Sequence, residues 1–104
     1  MISAREELKR IAMTQATYRR AIELLEADIN DELVALDPQQ GDCFGFNSVA
    51  TSVWKQLEVP RSVDELKAHL LAEYDVSEET CDAELRELLD DLETKGLISR
   101  TNSL

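Results

Sequence analysis

The chain has 104 residues, is 43% hydrophobic, and carries 22 acidic against 11 basic residues for a net charge of −11. That length suits one domain with one modest core, and the composition excludes a disordered chain. No apolar run reaches the ~18–20 residues of a membrane-spanning helix, and no secretory signal is visible, so a cytoplasmic protein is expected. The charge is uneven. Residues 1–20 hold Arg5, Lys9, Arg10, Arg19 and Arg20 against Glu6 and Glu7, a net of +3, and the remainder is −14. Such a body opposes nucleic-acid binding, which needs clustered positive charge on phosphate.

The first segment, residues 1–17, reads as an N-terminal extension. Ser3 and Glu6 form a capping box for a short helix there, and Met13 is a second potential start. From Tyr18 to Ile29 two patterns compete. Tyr18, Ile22, Leu25 and Ile29 fit a helical face, whereas Leu25, Ala27 and Ile29 alternate as a strand does. The following residues favour the strand. Asn30-Asp31 suits a two-residue turn, because both side chains tolerate positive φ. Glu32–Leu36 then makes a second strand. Asp37-Pro38-Gln39-Gln40-Gly41 is a turn, with Pro fixing φ early and Gly free to take the left-handed position. A third strand starts at Asp42, with Phe44 and Phe46 sharing one face.

Three helices complete the pattern. Asn47 caps the first, in which Val49, Val53 and Leu57 fall on one line beside Ala50 and Trp54. It ends by Pro60, which pushes Val59 out of helical geometry. Ser62-Val63-Asp64-Glu65 is a capping box for the second, whose apolar face is Val63, Leu66, Leu70 and Tyr74. The third starts at Ser77, buries Cys81, Leu85, Leu88, Leu89 and Leu92, and closes at Gly96. Leu97 and Ile98 cover the core, and residues 100–104 read as a polar tail. The expected fold is α+β: a three-stranded antiparallel sheet followed by three helices, a winged helix-turn-helix layout over residues 18–99.

Catalytic chemistry is not apparent. His69 is the single histidine and lies mid-helix, no serine or cysteine stands in a nucleophile setting, and no glycine-rich phosphate loop is present. One histidine and two scattered thiols, Cys43 and Cys81, cannot close a metal site. Both cysteines read as small apolar side chains in a reducing compartment. No cofactor is expected.

Several segments resemble PqqD-like proteins in order and spacing. Gly41-Asp42-Cys43-Phe44-Gly45-Phe46-Asn47 through Val53-Trp54 is similar to the family's G-x-x-aromatic-x-Leu-Asn-x-x-Ala-x-x-Ile-Trp. Leu33-Val34-Ala35-Leu36-Asp37, Pro60-Arg61-Ser62-Val63-Asp64-Glu65-Leu66, Tyr74-Asp75-Val76 and Gly96-Leu97-Ile98 match further family segments. Phe46 departs from the family's usual Leu. The resemblance implies a non-catalytic recognition element, or peptide chaperone, for ribosomally made and later modified peptides. The length and the Tyr18-Arg19-Arg20 start are most similar to the discrete recognition proteins of lasso-peptide pathways.

By that resemblance a precursor's leader peptide adds as a strand to Asp42, Cys43, Phe44, Gly45 and Phe46. It lies against a wall inferred from the third helix: Cys81, Asp82, Leu85, Arg86 and Leu89. Partners would be the leader and a modifying enzyme or leader peptidase, with no nucleic acid and no membrane, and the chain itself a monomer or weak dimer. Backbone bonds give strand addition its affinity, and side-chain pockets give selectivity. Gly45 suits close approach of a neighbouring backbone, or marks a bulge. Phe44 and Phe46 either line the site or support it from behind. A DNA-binding regulator is the main alternative. Its recognition helix, Ser77–Lys95, would carry eight acidic residues against Arg86 and Lys95. A subunit of a larger enzyme complex would use the same exposed edge.

Overall fold

A computed structural model describes residues 16–102. In chain order it contains β1 (Ala16–Arg20), β2 (Leu25–Ile29), β3 (Glu32–Leu36), β4 (Cys43–Phe46), α1 (Ser48–Gln56), β5 (Arg61–Ser62), α2 (Val63–Glu73), α3 (Glu78–Thr94) and β6 (Ile98–Asn102). The strands form two antiparallel three-stranded sheets, ordered β2-β3-β4 and β5-β1-β6. The capping box at Ser3 and the start at Met13 lie outside the described residues.

The first sheet is the expected meander. Asn30 and Asp31 have φ of 52° and 67°, the paired positive values of a tight hairpin turn, and this settles Leu25–Ile29 as a strand. The second turn is held by Asp37. Its carboxylate oxygen Oδ1 accepts from the N–H of Gln39 at 2.9 Å and of Gln40 at 3.3 Å. Gly41 takes φ of 76° and donates its N–H to the Asp37 carbonyl. The register then runs without interruption from Leu36↔Cys43 to Leu33↔Phe46, so Gly45 marks no bulge.

The second sheet departs from expectation. Tyr18 belongs to β1, a five-residue strand that starts at Ala16, within the expected extension. Residues 100–102, expected as polar tail, are the end of β6, which pairs along the whole of β1 from Ala16↔Asn102 to Arg20↔Ile98. The reason is non-local. Ala-Thr-Tyr-Arg-Arg and Ile-Ser-Arg-Thr-Asn are each too short and polar to announce a strand. Each becomes one by pairing with the other across nearly the whole chain, while Ala16 and Tyr18 sink into the core at no exposure.

The helices begin where their caps dictate. Asn47 Oδ1 accepts from the N–H of Ala50 at 2.9 Å. Ser62 and Glu65 exchange both bonds of a capping box at 3.1 Å. Ser77 Oγ accepts from the N–H of Thr80 at 3.2 Å. Gly96, with φ of 77°, ends α3. The core gathers Val53 and Trp54 of α1, Leu57 just after it, Leu66 of α2, Leu85 and Leu89 of α3, and Leu97, all essentially unexposed.

Candidate functional site: an open strand edge beside an apolar cleft

β4 pairs with β3 alone among the described residues, so its other side is open. Which backbone groups face that opening follows from the ladder. Asp37 donates its N–H to the carbonyl of Asp42 at 2.8 Å, so Asp42 turns inward toward the preceding strand. Antiparallel pairing alternates, so Phe44 and Phe46 also turn inward, and Cys43 and Gly45 direct N–H and C=O outward. The edge therefore offers two donors and two acceptors from two residues. A Cβ on Gly45 would meet nothing within 4 Å, and its φ is not positive. Neither backbone conformation nor internal packing calls for glycine there. Its bare backbone leaves that stretch of the strand unobstructed.

The inner face of β4 anchors the edge. Phe46 is buried and meets Trp54 edge to face, ring centroids 5.6 Å apart at 73°. Phe44 is half-buried against the core. So Phe46 supports the site from behind, and Phe44 stands at its border. Thr51, the one buried polar side chain among the described residues, joins strand ends to helix. Its hydroxyl donates to the carbonyl of Phe46 at 3.2 Å and accepts from the N–H of Leu33 at 3.0 Å. It thereby bridges the last rung of the β3–β4 ladder. Nothing in its sequence position distinguished Thr51 from an ordinary helical residue.

Trp54 centres a second anchor. Its indole N–H donates to Glu26 Oε2 of β2 at 3.0 Å. Arg20, at the end of β1, lies with its guanidinium carbon 4.4 Å from the indole centroid and donates to the Trp54 carbonyl at 2.6 Å and 3.2 Å. Arg20 and Glu26 also approach to 3.6 Å. A guanidinium over the face of one indole and a carboxylate at its N–H thus fasten the two sheets to α1.

The wall of α3 is divided differently from the sequence expectation. Cys81, Leu85 and Leu89 are buried and belong to the core. Burial pushes the Cys81 thiol above its usual range, with Lys67 opposing, so it is a neutral apolar group at ordinary pH. Asp82 and Arg86 bond to each other at 2.8 Å, and Asp82 faces Lys67 of α2 at 3.7 Å. Glu78 holds the same lysine at 3.0 Å and keeps it well protonated. That border of α3 therefore faces α2. The opposite border carries Glu84 and Leu88, since 84 and 88 fall across the buried stripe from 82 and 86 on a 3.6-residue turn.

On the Glu84 border an apolar cleft of roughly 240 Å³ lies between Val49, Leu70, Tyr74, Val76, Cys81 and Leu85. Val49 enters α1 three residues after Phe46, so the cleft opens beside the end of β4. Phe44, Val49 and Leu88 each pack half-buried on the core, and Val49 also lines the cleft. Val49 and Leu88 were visible in the sequence as stripe residues. Their half-exposure was not, because periodicity assigns a face and says little about where a face ends.

Other clusters offer less. His69 lies exposed near Glu73 at 3.4 Å and Gln56 at 3.3 Å, while Ser52 Oγ donates to the same Glu73 at 2.7 Å. The carboxylate is central there and the imidazole peripheral, the reverse of what nucleophile activation needs. Among the described residues no group of three His, Cys, Asp or Glu gathers to hold a metal, and no helix is long and apolar enough to cross a membrane.

The fold and this edge define a small α+β domain of the PqqD-like type, with a free strand beside an apolar cleft. The chain belongs to the PqqD family: the family model described as coenzyme PQQ synthesis protein D matches residues 32–98. Two solved structures are similar. TbiB1 in complex with the TbiA(beta) leader peptide is 32% identical, with 78% of this chain and 94% of that chain covered and a TM-score of 0.69. A lasso peptide synthetase B1 complexed with its leader peptide is 21% identical, with 79% and 96% covered and a TM-score of 0.65, and shares the fold. No curated protein matches the chain.

Proposed function

We propose that this protein is a non-catalytic leader-peptide recognition element of lasso type. It captures the leader of a ribosomally made precursor by strand addition to β4 and presents it to a modifying enzyme or leader peptidase. The observation that carries this is the outward-facing backbone of Cys43 and Gly45 beside the cleft at Val49 and Leu85. The added strand exchanges hydrogen bonds with those two residues, and its alternate side chains enter the apolar border of Phe44, Val49 and Leu88. TbiB1, similar over most of its length, is solved with a leader peptide, which supports the same use here. The DNA-binding alternative fails on charge: α3 carries eight acidic residues and one arginine.

The test is a titration of isotope-labelled chain with synthetic leader peptide from the cognate precursor, followed by backbone amide shifts. Shifts are expected in Cys43–Phe46 and along α3 near Glu84–Leu88. Shifts confined to the β5-β1-β6 sheet, or to the Asp82 border of α3, would overturn the proposed mode.

A further inference from the structure

The β2-β3-β4 sheet is inverted on one strand. Glu26 and Asp28 point toward the helices, where Trp54 and Lys55 hold them at 3.0 Å each. Alternation then turns Leu25, Ala27 and Ile29 outward. Cross-strand pairing sets Leu25 against Leu36 and Cys43, and Ala27 against Val34 and Gly45. The outer face is consequently apolar. Leu25 is 61% exposed, Ile29 56%, Leu36 38% and Val34 36%, four of the five exposed large apolar side chains among the described residues. An antiparallel sheet with one solvated face ordinarily makes that face polar, and a contiguous apolar patch on a small protein marks contact with something else.

Charge says what that something is. Residues 21–47 hold seven acidic residues (Glu23, Glu26, Asp28, Asp31, Glu32, Asp37, Asp42) and no basic one. Glu26 and Asp28 are paired on the inner face. Glu23, Asp31, Glu32 and Asp42 have no ion pair among the described residues, and they stand at the two ends of the hairpins around the patch. A second copy would set carboxylates against carboxylates. A surface with lysine or arginine around an apolar centre would meet both features.

We propose that this outer face is a docking surface for a second protein, one presenting apolar side chains ringed by basic residues. That the partner is the leader-processing enzyme rests on the function proposed above; the surface itself does not. The two sites share β4: Cys43 and Gly45 offer backbone to the open edge and side-chain positions to the outer face. A partner seated on this face therefore sits beside any strand added to β4.

The experiment uses the full chain, the leader peptidase of the same pathway as probe, and a Leu25→Asp/Ile29→Asp double variant. Both positions are more than half exposed, so the variant is expected to unfold at the same urea concentration as the parent. Calorimetry should show peptidase binding weakened at least tenfold in the variant, and weakened for the parent as salt rises. Leader affinity should be equal in the two chains. Equal peptidase binding by both chains overturns the proposal. So does sedimentation of the parent as a dimer that the variant abolishes, since a second copy would then occupy the face. Failure of leader to bind either chain sinks the strand-addition reading instead, and the peptidase arm still decides the docking surface.

Discussion

The two sheets are built on opposite plans. The β2-β3-β4 sheet is consecutive in sequence, closed by two tight turns, wholly acidic in its charged residues, and has β2 and β4 as its two edges. The β5-β1-β6 sheet joins residues 16–20 to residues 61–62 and 98–102, carries Arg19, Arg20, Arg61 and Arg100, and feeds Ala16 and Tyr18 into the core. One sheet is local and presents a surface. The other is long-range and ties the two ends of the described segment across the helices. The β4 edge therefore belongs to a unit closed by short loops, whereas the other sheet closes long ones.

The Arg20–Trp54–Glu26 cluster is the joint between them, so breaking it tests the comparison hardest. Trp54→Ala should cost about 3–5 kcal/mol in urea unfolding, with both sheets losing amide protection together. Loss of protection in one sheet alone would show that they are not coupled through the indole. Thr51→Val acts on the local sheet only. It leaves the Leu33 N–H buried without an acceptor and should cost about 1–3 kcal/mol, with hydrogen exchange rising at the β3–β4 ladder before the β1–β6 ladder. Gly45→Pro sharpens the open edge. It removes one outward donor and no inward rung, so unfolding should barely move while leader affinity falls about tenfold, the equivalent of ~1.4 kcal/mol. Equal losses in folding and binding would mean that Gly45 bonds to β3 after all.

The smallest effect separates the two cysteines. Cys43 on the open edge is exposed and Cys81 is buried. A thiol reagent should label Cys43 first, and Cys81 only as the chain opens. Burial raises the Cys81 pKa, and raises that of the Tyr18 phenol despite Arg100 nearby. Both groups hold their protons more tightly folded than unfolded. The stability they contribute is complete below the unfolded values and is lost as pH climbs through the folded ones. Cys81→Ala should therefore flatten the start of the alkaline decline, above pH ~8.5. An unchanged alkaline limb would show that folding does not raise the Cys81 thiol.

The same contrast explains how much was legible in the sequence. The meander, its two turns, the three caps and the buried stripes are short-range facts. Asn30-Asp31, Asp37–Gly41, Asn47, Ser62 and Ser77 each act within a few residues of themselves. The edge at Cys43–Phe46 was legible for that reason. β1 and β6 were not, because neither carries a strand pattern and their pairing spans the chain. The border of α3 was legible only halfway. Spacing gave the stripe Cys81-Leu85-Leu89, but the choice between Asp82 and Glu84 as its open side depended on where Lys67 of α2 would stand. The apolar outer face was present as Leu25, Ala27 and Ile29. Their direction depended on Trp54 and Lys55 drawing Glu26 and Asp28 inward.

The pairing of Ala16 with Asn102 has one more consequence. Entry to and exit from the described domain lie side by side, on the sheet that does not contain β4. A short linker could join them, and new ends could be cut at the exposed turn Pro38–Gln40 without crossing a buried segment. A cargo attached at either end of the described domain would share one doorway, and a single tether there would leave the outer side of β4 unobstructed.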